Sequence, residues 1–271
     1  MSGGRFTGHD PQQGHATAGV PWAGRTLTGP GFDGDSGSAD PALLRVLADP
    51  SDEIALVGAV SRARLLVPVV ALPGETVAVS EASGASHGEP GAGTPSGLRA
   101  DASSDMAAVT LVAPDGARAL PAFTSLSALA AWDSTARPVP VTAQRAALAA
   151  VQESCGTVLL DLGSEHGAGR GGYALRSSMV WALAMDRPWQ PAHLDSAVDS
   201  AVAAALTVEN AATAYTLAAG SHGALQVTLT LGPGLRRDEV QALVTRVGER
   251  LAADGEVRAR IDALSFTLRE D

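Results

Sequence analysis

Lysine is absent from this chain. All 19 basic residues among its 271 are arginine, a bias consistent with a GC-rich genome. The absence removes several chemistries at once. A G-x-x-x-x-G-K-[ST] phosphate loop and a kinase-type lysine both need the ammonium group, and Schiff-base catalysis on pyridoxal phosphate or aldol substrates needs a lysine amine. Cysteine is almost absent too. Cys155 stands alone, which excludes an intramolecular disulfide and every multi-cysteine zinc or iron–sulfur site. It fits a reducing cytosol. Aromatic residues make up only 4% of the chain, so a core must be packed from Ala, Val and Leu with few large anchors. No run approaches the 18 apolar residues of a membrane span, and the opening MSGGRFTGHDPQQGHATAG lacks the apolar segment of a signal peptide. The expectation is a cytoplasmic protein away from membranes.

What is present is acidic and rich in small residues. With 29 acidic residues against 19 basic ones the formal charge is −10. A nucleic-acid partner is therefore not expected, because phosphate binding needs a basic face to release counterions. Arg62/Arg64 and Arg236/Arg237 are single pairs beside helical segments and read as solvated helix ends.

Composition divides the chain into three regions. Residues 1–39 hold too few apolar groups to offset ordering entropy and read as a disordered tail, with Phe6, Trp22, Leu27 and Phe32 as isolated apolar exceptions. Residues 40–191 carry a first domain, interrupted at 73–104 by a flexible insertion of small residues, Gly and Pro. Residues 192–271 form a smaller C-terminal module.

Within the first domain, Asp40 and Pro41 supply an N-cap and a first helical residue, and Leu43, Leu44 and Leu47 form the face of that helix. A second helix covers Asp52 to Arg64. RLLVPVVAL (64–72) reads as a buried strand whose Pro68 belongs at an edge or a bulge. MAAVTLVA and ARALPAFT flank Pro114-Asp115-Gly116, the turn of a β-hairpin. Ser125 caps a helix from Leu126 to Trp132. Thr142 caps another running to Glu153, with Leu148 and Val151 turned inward. TVLLDLG (157–163) predicts a central strand, YALRSS a short one, and MVWALAM a final short helix ahead of Pro188.

In the C-terminal module Leu194, Val198, Val202 and Leu206 mark an amphipathic helix. Strands are expected at 210–218 and 224–231, the second with strict alternation of Leu225, Val227, Leu229 and Leu231 against Gln226, Thr228 and Thr230. Arg237 to Ala253 is a long amphipathic helix stopped by Gly255, and Leu264, Phe266 and Leu268 mark a last strand. The fold class is α+β: a mixed or antiparallel sheet domain with flanking helices, then an α-β-β-α-β module expected to hold a small antiparallel sheet with helices on one face.

Several first-domain segments carry a family resemblance. LLVPVVA (65–71), MAAVTLVAPDGARALPAFTS (106–125), Ala131-Trp132, RPVPV (137–141) and DRPW (186–189) together resemble the SseB family (enhanced serine sensitivity), in an actinobacterial form. The hairpin followed by ALPAFTS is the most specific part. The resemblance implies an α+β N-terminal domain followed by a less constrained C-terminal module. It carries no agreed catalytic residues, so no role transfers to a position of this chain.

Chemistry could gather in one place. Asp161, Glu165 and His166 stand at the C-terminal end of the 157–163 strand, where carboxylate and imidazole suit acid–base work or metal binding, with Arg170 as an anion anchor. Their plainer reading is a polar loop mouth. Gly167 to Gly172 matches G-x-G-x-x-G, but the residues after Gly172 look extended rather than helical and no strand ends in an acid about 20 residues later, so it reads as a loop. Cys155 reads as a small core residue. His9, His15, His87, His193 and His222 are scattered without metal-ligand spacing. Trp189, between Pro188 and Pro191 at the module junction, is the candidate partner-binding residue, weighed against packing between the modules. The expectation is a non-catalytic protein-interaction or regulatory protein with a protein partner and no cofactor or metal. The alternative is a small-molecule binder or hydrolase using Asp161, Glu165, His166 and Arg170.

Overall fold

A computed structural model describes residues 31–32, 34–72, 105–163 and 172–270. Most of the 1–39 tail, the 73–104 insertion, and the loop holding Glu165, His166 and Arg170 lie outside the described residues.

The first helix, α1 (Pro41–Ala48), starts where its cap chemistry dictates. The Asp40 carboxylate accepts from the Ala42 and Leu43 amides at 2.6 and 3.3 Å, with proline at the first helical position. Leu43 and Leu47 are buried, while Leu44, expected beside them, is 37% exposed. Asp52 caps α2 (Glu53–Arg62), which leads directly into β1 (Arg64–Leu72). The chain joins this framework ahead of Asp40, since Arg64 donates to the Ser38 carbonyl at 2.7 Å and Leu126 N–H to the Gly37 carbonyl at 2.8 Å.

β1 is the middle of a three-stranded antiparallel sheet, between β2 (Asp105–Ala108) and β5 (Arg137–Thr142). Pro68 is therefore not on an edge strand. It is tolerated because the β1–β2 ladder begins one residue later, at Val69↔Ala108, while on its other side Pro68 faces Pro138, so two residues without an N–H oppose each other. β5 is not expected from the sequence, because Pro138 and Pro140 argue against a strand.

The hairpin forms at the expected turn, with Gly116 at φ +85° and β3 (Leu111–Val112) paired to β4 (Arg118–Ala122). Its first arm is broken, however, since 105–108 pairs with β1 and only 111–112 with β4. β4 then runs parallel to β6 (Thr157–Leu160), which pairs with β7 (Tyr173–Leu175) in a four-stranded mixed sheet. α3 (Leu126–Trp132), α4 (Ala143–Gln152) and α5 (Ser177–Ala184) complete this part. α4 corrects the inward reading of Leu148 and Val151. Both are exposed, and the helix buries Ala143, Ala146, Ala147 and Ala150 instead. An alanine face lets α4 approach closely, which suits a chain with few large side chains.

Beyond Pro191 come a 3-10 turn (Ala192–Leu194), α6 (Ser196–Leu206), β8 (Ala212–Ala219), β9 (Leu225–Leu231), α7 (Arg237–Ala253), α8 (Gly255–Arg260) and β10 (Leu264–Glu270). The apolar face of β9 is as expected, with Leu225, Val227 and Leu229 fully buried against Val198, Val202, Leu243 and Val247, while Thr228 on the opposite face is buried too. Two readings change. Gly255 does not end the helical region but opens α8, because Asp254 caps it through the Glu256 and Val257 amides. The sheet is mixed rather than antiparallel, in the order β10-β9-β8, with β10 parallel to β9, the pairing that the α7–α8 crossover permits.

The residues around α1, α2, α4 and α5 and those after Pro191 build separate hydrophobic clusters, and α3 packs with Leu66 and Phe123 in a small third one. In the second, Glu209 fastens α6 to α7. Its buried carboxylate takes Arg246 at 2.6 Å and Arg250 at 2.6 Å. The Arg246 hydrogen bond is the chief cause that holds Glu209 down to about 2 from its ordinary 4.5. A carboxylate so depressed contributes its full stability above about pH 4.5 and loses it as pH falls toward 2. The Tm should therefore drop across that window, and Glu209→Gln should flatten this part of the pH profile while lowering the Tm at neutral pH, measured by calorimetry over pH 2–7.

Candidate functional site

Two open clefts of about 540 Å³ each lie on this fold, within the range of small-ligand sites. The first sits at the carboxyl ends of the parallel strands β4 and β6, the usual place for a ligand crevice in such sheets. Thr124, Ser125 and Ser127 line one wall, Asp161 and Gly163 another, and Leu44 the rim. Asp161 is 4% exposed. Thr124 donates to its two carboxylate oxygens, the amide at 2.7 Å and the hydroxyl at 2.7 Å. Ser125 is likewise committed, accepting from the Ala128 amide at 3.1 Å as the α3 cap. Arg64 donates to the Thr124 carbonyl at 2.9 Å from below. Asp161 therefore ties the end of β6 to the end of β4, with its own backbone at φ +53°. Of the four residues expected to work together here, only Asp161 is described, and it is a clamp between strands.

The second cleft lies where the two larger hydrophobic clusters meet. α2 and the residue before it provide Asp52, Glu53 and Ile54, the 3-10 turn provides His193 and Leu194, and the β8–β9 connection provides Gly220 and Gly223. Ile54 and Leu194 stand on its lips, 46% and 58% exposed. Its wall is held by Arg176. The guanidinium makes a forked pair with Glu53, one arm at 2.8 Å and one shorter, and its Nε donates to Asp262 at 2.9 Å. The hydrogen bond from Arg176 is the main reason the Glu53 carboxyl is held below its ordinary value, and a forked pair of this kind fixes orientation as well as charge. Gly223, at φ +79°, lies flat against Arg176, where a Cβ would come within 2.3 Å of Nε.

Asp262 does more than pair with Arg176. The residue at the N-cap of α5 is Arg176 itself, which gives no side-chain cap. Asp262 supplies that cap from 84 residues away, accepting from the Ser178 amide at 2.8 Å and hydroxyl at 2.8 Å and from the Ser177 hydroxyl at 3.0 Å. The Ser178 hydroxyl also accepts from the Trp189 indole at 3.0 Å. Trp189 is 7% exposed with Arg176 over its ring at 5.7 Å. It is packing at the junction and not an exposed partner-binding surface. A second set of charges reinforces the seam. Arg260 pairs with Asp195 at 2.6 Å and Glu256 at 2.7 Å and stacks on Trp181 at 5.0 Å, and Arg187 joins Glu256 at 2.8 Å.

Glu53, Arg176 and Asp262 do not stand out in the sequence, since their positions are scattered along it. A faint signal exists: arginine stands where α5 needs a cap, ahead of two serines. Cys155 is buried, its thiol donating weakly to the Glu153 carbonyl at 3.8 Å. Burial pushes its pKa up, which disfavours the reactive thiolate. Among the described residues no three His, Cys, Asp or Glu side chains gather as a metal site, and no helix is long and apolar enough to cross a membrane.

Residues 41–182, just over half of the chain, match the family model described as the SseB protein N-terminal domain. The chain belongs to the SseB family. No curated protein and no solved structure matches it. The SseB match ends inside α5, so it contains Glu53, Arg176 and the two serines, while Asp262, Trp189 and Arg260 come from the sequence beyond it.

Proposed function

We propose that this SseB-family chain is a cytosolic protein-interaction module whose partner segment seats in the junction cleft, without chemistry of its own. Two modules, 40–191 and 192–271, each with a hydrophobic core, would share that cleft. The observation that carries the reading is the cleft's construction. Its charged wall is satisfied internally by the Glu53–Arg176–Asp262 network, while its lips present the apolar side chains of Ile54 and Leu194 to solvent. Exposed apolar groups beside a rigid polar wall suit a bound peptide segment better than a reaction needing free acid and base. The lone buried Cys155 is compatible with a reducing compartment.

The test is affinity capture with wild type, an Ile54→Asp/Leu194→Asp double variant, and Val112→Asp as a control. Val112 is 67% exposed and lies outside both clefts. One partner protein should come down with wild type and control and fall at least tenfold with the double variant. Equal recovery with all three would remove the cleft from the interaction.

A second reading rests on the other cleft. Its position at the carboxyl ends of β4 and β6, with the hydroxyls of Thr124, Ser125 and Ser127 on its wall, favours a small polar ligand. A ligand at about 100 times its Kd should add about 2.7 kcal/mol to the folded state. A thermal-shift screen of amino acids and nucleotides that gives shifts insensitive to Ser127→Leu would dismiss this site.

A further inference from the structure

A sheet edge exposes unpaired backbone groups that can template another strand, and folded proteins usually blunt such edges with proline, bulges or brevity. Among the described residues the sheet edges obey that pattern with one exception. β5 carries Pro138 and Pro140, while β2, β3 and β7 have four, two and three residues. β8 is longer but its register shifts between Ala212 and Ala214. β10 has seven residues, no proline and an unbroken ladder to β9, and no described strand pairs with its outer side.

We propose that β10 pairs antiparallel with β10 of a second copy of this chain, about a two-fold axis at Thr267, joining two three-stranded sheets into one of six. The surface is separate from the junction cleft and independent of the function proposed for it. Self-pairing must keep the faces of both sheets in step, so opposite residues share parity. Centred on Thr267, the register sets Phe266 against Leu268 twice, on the face where Leu264 and Phe266 already pack on the second core. It covers Leu268, 43% exposed in the single chain. At the ends of the same face Glu270 meets Leu264. On the other face Arg269 meets Ser265, so no like charges oppose each other. A seven-residue edge is small for an interface, which makes the dimer a weak one, with a Kd on the order of 100 μM.

Sedimentation equilibrium of the full chain should show a reversible monomer–dimer equilibrium. The register makes an opposed pair of predictions. Ser265→Glu sets a carboxylate opposite Arg269 and should tighten the dimer about fivefold, and Ser265→Arg should weaken it about fivefold, since each cross-strand charge pair occurs twice. Leu268→Lys should abolish it, with an unchanged melting curve at low concentration showing that the chain still folds. Thr267→Cys should form an intermolecular disulfide with oxidised glutathione, since facing antiparallel residues lie within disulfide reach, whereas Thr216→Cys on β8 should not. A chain that stays monomeric to about millimolar concentration, well above the Kd expected of an edge this size, overturns the proposal. So does a dimer indifferent to both Ser265 substitutions, or equal cross-linking from positions 216 and 267.

Discussion

Replacing Asp262 by alanine is expected to lower folding stability by about 2.5–4 kcal/mol, a sum of a lost helix cap at about 1 kcal/mol and a charge-assisted pair at about 1.5–3 kcal/mol. The carboxylate accepts four hydrogen bonds, from Arg176, Ser177 and both polar groups of Ser178. Ser178 is itself 2% exposed, so its amide could not turn to water for a replacement. Arg176 would keep Glu53 and lose its hold on the second core. Asp262→Asn keeps an acceptor for the cap and should cost clearly less. Urea denaturation of the two variants measures this, and the alanine variant should also lose partner capture at the junction cleft. Equal stability of wild type and Asp262→Ala would mean that the cap and the seam contribute nothing.

Asp161→Ala is expected to cost about 2–4 kcal/mol, because it leaves the buried Thr124 amide and hydroxyl without their acceptor and puts alanine at φ +53°. Asparagine tolerates that left-handed backbone and offers one amide oxygen, so Asp161→Asn should cost about half as much. The pair separates a clamp from a reactive group. A clamp loses stability in proportion to its lost bonds. A ligand-binding or acid–base carboxylate would instead lose its function in Asp161→Asn with stability nearly intact, and that result would restore the small-molecule reading.

Much of the fold is legible in the sequence because local chemistry dictates it. Asp40-Pro41, Ser125 and Thr142 set helix starts that tertiary contacts have no reason to move, and the apolar face of β9 survives because it is buried. Legibility fails where packing overrides residue size. On α4 alanine faces inward and Leu148 and Val151 outward, since close helix approach matters more there than side-chain area. β5 is hidden by its two prolines, which are accommodated because β5 is an edge strand and Pro138 and Pro140 face Pro68 and Leu66, residues whose backbone groups bond on the other side of β1. The Asp161 position is legible as polar and terminal to a strand, but its role depends on Thr124, 37 residues away. The junction is least legible. Trp189 stands out for its flanking prolines, while Glu53, Arg176 and Asp262 meet only through the assembly of both cores.

The most direct measurement is hydrogen–deuterium exchange on the full chain with and without the captured partner. The account predicts added protection at residues 51–54, 191–194 and 219–224, with no change at 124–131 or 161–163. Protection confined to 124–131 and 161–163 would contradict it and move the binding site to the carboxyl ends of β4 and β6.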